Sequence, residues 1–149
     1  MIVGIGADHH GFLLKELLKE HMADRGHEVV DFGCHSIDEV DYPDIAIRVA
    51  QDVAAGEVER AVLICGTGIG MAITACKVPG VRAAAVADPY SAERARKSNN
   101  AQVLCLGAKI VGPENATLLL DHWLDSEFQG GASARKVAKI DALDAHVAA

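Results

Sequence analysis

Short apolar runs alternate with longer amphipathic segments along the whole chain. The runs fall at about Ile2–Ala7, Glu28–Phe32, Ala61–Cys65, Arg82–Val86 and Gln102–Leu106 and are rich in Val and Ile. Such runs read as strands covered on both faces, and their alternation with segments of helical period is the pattern of βα units on a parallel sheet. A first helix is expected from near Gly11, with Leu14, Leu17, Leu18 and Met22 on one face and Gly26 closing it. A second follows Tyr42-Pro43, turns Ala46, Val49, Ala50 and Val53 inward, and ends at Gly56. Pro113 suits a first helical turn, and Ala116, Leu119, Leu120, Trp123 and Leu124 follow it as a stripe. A last helix over about 133–146 would bury Val137, Ile140 and Leu143 and reach away from the sheet. The pattern predicts an α/β fold on a five-stranded parallel sheet, in one domain over residues 1–149.

Composition narrows the class. Half of the 149 residues are apolar and 23% are charged, which suits one globular core. No apolar run approaches the ~18–20 residues of a membrane span, and the N-terminus enters a strand pattern at once, so a cytoplasmic protein is expected. Cys34, Cys65, Cys76 and Cys105 form no CxxC pair and read as free thiols. A net charge of −7 with no basic stripe or aromatic platform disfavours nucleic acid and points to a small-molecule partner.

The chemistry concentrates where Ala61–Ile64 runs into Cys65-Gly66-Thr67-Gly68-Ile69-Gly70. Glycine accepts the backbone conformations that turn successive N–H groups into one concavity, and such a loop opening a helix cradles a carboxylate, phosphate or oxyanion. The same N–H groups stabilise a thiolate, so Cys65 reads as a reactive thiol, whereas Cys34, Cys76 and Cys105 lack that context. The loop is neither a dinucleotide fingerprint nor a Walker loop. Ligands in open parallel sheets sit beyond the carboxyl ends of the strands. Three segments are expected there: Asp8-His9-His10, Cys65 to Gly70, and Asp88 to Asn100. His9 and His10 suit phosphate binding or proton shuttling; a metal site recruiting Cys34 and His35 matches no usual zinc spacing. His21, His27, His122 and His146 read as surface or turn residues. Arg94, Arg96, Lys97, Lys109, Arg135, Lys136 and Lys139 are the cations available to a phosphate.

Together these residues resemble the ribose-5-phosphate isomerase B family, which includes the subunits of galactose-6-phosphate isomerase. The likeness runs through Gly6-Ala7-Asp8-His9, Asp41-Tyr42-Pro43, Ile64 to Gly70, Lys77 to Arg82 and Glu127 to Gly131. It implies a Rossmann-like three-layer α/β/α sandwich and an aldose–ketose isomerase of the ribose 5-phosphate/ribulose 5-phosphate type, working through a cis-enediolate without metal or organic cofactor. It also implies a homodimer, or a tetramer, with sites between subunits and the final helix in dimer contacts. By the same resemblance Cys65 moves the proton, Thr67 and the N–H groups of Gly66, Gly68 and Gly70 hold the enediolate, Asp8 and Tyr42 meet sugar hydroxyls, and His9 meets the phosphate.

The departures from the family are specific. Its His-Asn-Asp motif, whose histidine opens the sugar ring, stands here as Ser98-Asn99-Asn100. Two family arginines fall on Ala132 and Lys136, a third on Lys109, and an asparagine on Cys76. Either Arg135, Lys136 or Lys109 holds the phosphate and His10 or Asp8 opens the ring, or the substrate is a tetrose 4-phosphate, such as erythrose or erythrulose 4-phosphate, that needs no opening; a hexose 6-phosphate is a further alternative. Rival classes are a non-catalytic sugar-phosphate-binding subunit, which Ser98 favours and Cys65 opposes, and a thiol redox protein, which lacks a resolving cysteine close in sequence.

Overall fold

The computed structural model describes residues 1–148, with side chains through residue 145, so the surface position expected for the His146 side chain lies outside what is described. The elements in chain order are β1 (Ile2–Ala7), α1 (Phe12–Asp24), β2 (Glu28–Asp31), α2 (Tyr42–Ala55), β3 (Arg60–Cys65), α3 (Ile69–Cys76), β4 (Ala83–Ala85), α4 (Pro89–Lys97), β5 (Val103–Gly107), α5 (Pro113–Leu124) and α6 (Ala132–Ala148). The five strands form one parallel sheet in the order β2-β1-β3-β5-β4.

Period-two alternation divides the core into two layers. On one face Val3, Ile5, Val62, Ile64, Leu104 and Leu106 meet Leu14, Leu18 and Met22 of α1, Ala92 of α4 and Leu119, Leu120 and Trp123 of α5. On the other, Ala61, Leu63, Cys65, Val103 and Cys105 meet Ala46, Val49 and Val53 of α2 and Met71 and Ala75 of α3. The central strands β1, β3 and β5 are therefore covered twice, which is why their sequences are continuous apolar runs. Burial raises the Cys105 thiol well above its ordinary range. Among the described residues, no helix is long and apolar enough to cross a membrane.

Two expectations about helix faces fail. Leu17 is 40% exposed, and the place beside the α1 stripe belongs to Lys15, which is fully buried. The ammonium of Lys15 meets Asp31 at the end of β2 at 2.8 and 2.9 Å and Glu16 at 2.7 Å, with Lys19 joining both acids. The helix is rotated to satisfy this buried charge instead of a third leucine. Ile140 and Leu143 are 46% and 62% exposed, and of the expected α6 stripe only Val137 is buried. Both sheet faces are already occupied, so α6 lies along the amino-end rim, tied by Arg82–Asp141 and by the Gly80 N–H to Asp144, each 2.7 Å.

Burial by itself would raise the Asp31 carboxyl, but the ammonium groups of Lys15 and Lys19 and the Gly33 N–H lower it to about 2. A carboxyl lowered from its unfolded value of about 3.9 contributes stability that is complete above that pH and lost as pH falls through about 2. Asp31→Asn leaves the buried Lys15 ammonium with Glu16 as its one carboxylate partner. It is expected to cost about 3 kcal/mol at pH 7 in urea denaturation, with the gap to the wild type narrowing as the pH is lowered from 4 to about 2.

Candidate active site

Neighbouring strands β1 and β3 send their following helices to opposite faces of the sheet, α1 to one and α3 to the other. Beyond the carboxyl ends of such a pair nothing fills the space between the departing chains. A cavity of about 560 Å³ lies there. Its wall comes from the β1–α1 turn (Asp8, His9, His10), the approach to α2 (Glu39 to Tyr42), the β3–α3 loop (Cys65, Gly66, Thr67, Ile69, Gly70, Ile73) and Lys109 after β5.

Cys65 ends β3 with 5% exposure, and the Gly68 N–H donates to its sulfur at 3.1 Å. The sulfur thus lies in the loop that leads into α3, with the N–H of the α3 N-cap residue aimed at it. Gly68 reaches this position at φ +79°, where a Cβ would also lie 3.0 Å from the Leu106 carbonyl carbon. Two residues on, a Cβ at Gly70 would stand 2.3 Å from the Tyr42 ring, so this glycine lets the phenol lie against the loop. The Ile69 N–H donates to Thr67 Oγ1 at 3.3 Å.

Asp8 is 4% exposed, and its Oδ1 accepts from the N–H groups of His10 and Gly11 at 3.0 and 3.2 Å. One carboxylate oxygen thus closes the turn into α1 while the other is outside these bonds. His9 Nδ1 accepts from the Val40 N–H at 3.2 Å, which places the proton of the neutral ring on Nε2 as a donor. The His10 ring stands 4.2 Å from that of His9 and lies beside Gly66. The Lys109 N–H donates to the Gly66 carbonyl at 3.0 Å, and its side chain runs past Gly66. A thiol, an N–H cradle, a phenol and cationic or N–H donors around one cavity suit proton transfer on a small anionic polyol. Among the described residues, no three or more His, Cys, Asp or Glu side chains are placed together to hold a metal ion.

The residues singled out from sequence separate into two groups. Asp8, His9, His10, Tyr42, Cys65, Gly66, Thr67, Gly70 and Lys109 line the cavity, and Gly68 supplies its N–H from just behind. Ser98, Asn99, Arg135 and Lys136 do not reach it within one chain. The segment Asp88 to Asn100 does not sit wholly at the carboxyl ends as expected. Asp88 caps α4 there through the Ser91 N–H, but nine helical residues, ~13 Å, carry Ser98 to Asn100 back to the opposite rim. Ser98 Oγ accepts from Arg94 Nε at 2.8 Å, Asn99 lines a second cavity of about 720 Å³ between β4 and α6, and Arg135 and Lys136 are exposed on the first turns of α6. Glu39, Val40 and Ile73 are cavity residues with no sequence signal beyond their closeness to Asp41-Tyr42 and the glycine loop.

A family model described as Ribose/Galactose Isomerase matches residues 3–140. The chain belongs to this isomerase family. It is 49% identical over 97% of both chains to the ribose-5-P isomerase B of Listeria innocua. It is 48% identical to the D-erythrulose-4-phosphate isomerase of Pectobacterium atrosepticum, over 93% of this chain and 91% of that one. The solved structure of Clostridium thermocellum ribose-5-phosphate isomerase B superposes with a TM-score of 0.97 at 45% identity, covering 99% of each chain. The three-layer sandwich is thus that of these isomerases, and the cavity at the β1/β3 switch is built from segments that the family model spans.

Gly70→Ala is expected to destabilise the isomerase by about 1–3 kcal/mol through the clash with Tyr42. Most of that loss should disappear when Gly70→Ala is made in a Tyr42→Ala background, as read by urea denaturation of the four proteins in the cycle.

Proposed function

We propose that the chain interconverts an aldose and a ketose phosphate, ribose 5-phosphate and ribulose 5-phosphate in type, with Cys65 as the proton-transfer base. The observation that carries this reading is the Cys65 sulfur held by the Gly68 N–H inside a cavity that also holds His9 and Lys109. In the open-chain aldose the Cys65 thiolate removes the proton on C2, and the C2–H electrons form the enediolate as negative charge moves to O1. The thiol so formed returns the proton to C1 while a hydroxyl proton passes from O2 to O1. N–H groups of Gly66 to Gly70 with Thr67 oppose the charge on the enediolate, a contribution of several kcal/mol when donors are preorganised. Asp8 and Tyr42 take sugar hydroxyls, and His9 Nε2 with Lys109 takes the phosphate.

Ser98, Asn99, Arg135 and Lys136 enter this reading from a second copy. Strand β3 alone spans ~20 Å, so a sugar phosphate in the cavity cannot reach the opposite rim of its own chain. A homodimer with α6 in its contacts, in the cytoplasm, is the assembly proposed. Ring opening of the pentose then falls to Asp8 or His10, since the Ser98 hydroxyl is not basic and is already bonded to Arg94.

A steady-state assay on ribose 5-phosphate, erythrose 4-phosphate, allose 6-phosphate and galactose 6-phosphate tests the proposal. Ribose 5-phosphate should turn over fastest, and Cys65→Ala should lower kcat about a thousandfold while leaving sugar-phosphate binding in calorimetry nearly unchanged. Preference for erythrose 4-phosphate would replace the pentose as substrate and account for Ser98, and binding without turnover of any of the four would mean a binding subunit.

A further inference from the structure

The cavity is electrostatically incomplete for the ligand proposed. Its wall carries three carboxylates, Asp8, Glu39 and Asp41, against one ammonium, Lys109. A phosphomonoester adds about −1.5 to −2 at neutral pH. His9 donates one N–H as a neutral ring, so further cations must come from outside this wall.

At the opposite rim one guanidinium is held as if for an anion. Arg25, Arg60 and Arg82 meet carboxylates at normal ion-pair distances, and Arg96 reaches Glu127 at 3.8 Å. Half-buried Arg94 makes no ion pair among the described residues. Its Nε donates to Ser98 Oγ at 2.8 Å and its Nη2 to Gln129 Oε1 at 3.4 Å, so it is braced by two neutral acceptors on separate segments, the end of α4 and the turn into α6. Neutral braces fix the side chain without spending its charge. The hydrogens on Nη1 and the second on Nη2 remain unclaimed by these bonds, and they form the fork that grips two phosphate oxygens. Ser98 is then a positioning residue: a small hydroxyl one helical turn along accepts from Nε, where a basic ring would compete with the guanidinium.

We infer that Arg94, braced by Ser98 and Gln129, is a phosphate-binding residue that one copy supplies to the Cys65 cavity of the other. The inference rests on the isomerase reading for its substrate, but its first test does not. Calorimetry with inorganic phosphate should show affinity falling about tenfold from wild type to Arg94→Leu, with Arg94→Lys between them because it keeps the charge and loses the fork. Equal melting temperatures for the three proteins would exclude a folding defect as the cause.

In kinetics with the preferred sugar phosphate, Arg94→Leu should raise KM about tenfold with kcat within threefold, a split that a structural role for Arg94 would not give. Mixing is the decisive arm. Arg94→Leu and Cys65→Ala, each weak alone at low substrate, should on equilibration recover about a quarter of wild-type activity, because half of the pairs are mixed and each mixed pair has one intact site. Unchanged phosphate affinity in Arg94→Leu, or a mixture no more active than its parts, would overturn the inference. A wild type that binds phosphate through Arg94 yet isomerises nothing would overturn the isomerase reading alone.

Discussion

The site depends on a close approach: the Gly66–Gly70 loop is wedged between the end of β5 and the Tyr42 ring. A Cβ at Gly68 would touch the Leu106 backbone, one at Gly107 would lie 2.7 Å from Thr67, and one at Gly70 would enter the phenol. The loop therefore has one place to be, and that place puts the Gly68 N–H on the Cys65 sulfur. The two layers of core exist in this sense to bring β3 and β5 into register, Leu63 beside Cys105 and Cys65 beside Gly107, so that the wedge closes.

Two polar devices hold the rest of the cavity wall to this frame. The Asp8 carboxylate fixes the turn that carries His9 and His10, and the Val40 N–H fixes the tautomer of His9 from a loop 31 residues away. The buried Lys15 anchors α1 to Asp31, whose Oδ1 also accepts from the Gly33 N–H at 2.9 Å. In this way the segment that follows β2 starts from a fixed point before it returns as Glu39 to Tyr42. Both devices place charge where burial is costly, and in each the charged group is satisfied by several partners.

What was legible in the sequence was whatever repeats locally. Continuous apolar runs mark β1, β3 and β5 because those strands are covered on both faces, and the glycine spacing marks the β3–α3 loop because one backbone turn contains it. The apolar run Arg82–Val86 overshoots β4, which is three alanines at an edge, and side chains that small carry little pattern. Lys15 was invisible as a core residue because its partner Asp31 belongs to another element. The same reason hid Glu39 and Val40, whose roles come from the folded proximity of two loops. The run from Asp88 to Asn100 divides between both ends of the sheet because α4 carries the chain from one rim to the other, and a sequence does not show that span.

That separation of rims changes how such a chain can diverge. Gly68, Gly70 and Gly107 are bound by the wedge, where an added carbon meets backbone or an aromatic ring, and so they have almost no room to vary. Ser98, Arg94 and Gln129 sit on a helix end and a turn whose neighbours are solvent and side-chain atoms, and exchanges there disturb no part of the wedge. The two rims can thereby change independently: a new side chain in place of Arg94, Ser98 or Gln129 leaves the glycine wedge, and the Gly68 N–H on the Cys65 sulfur, where they are.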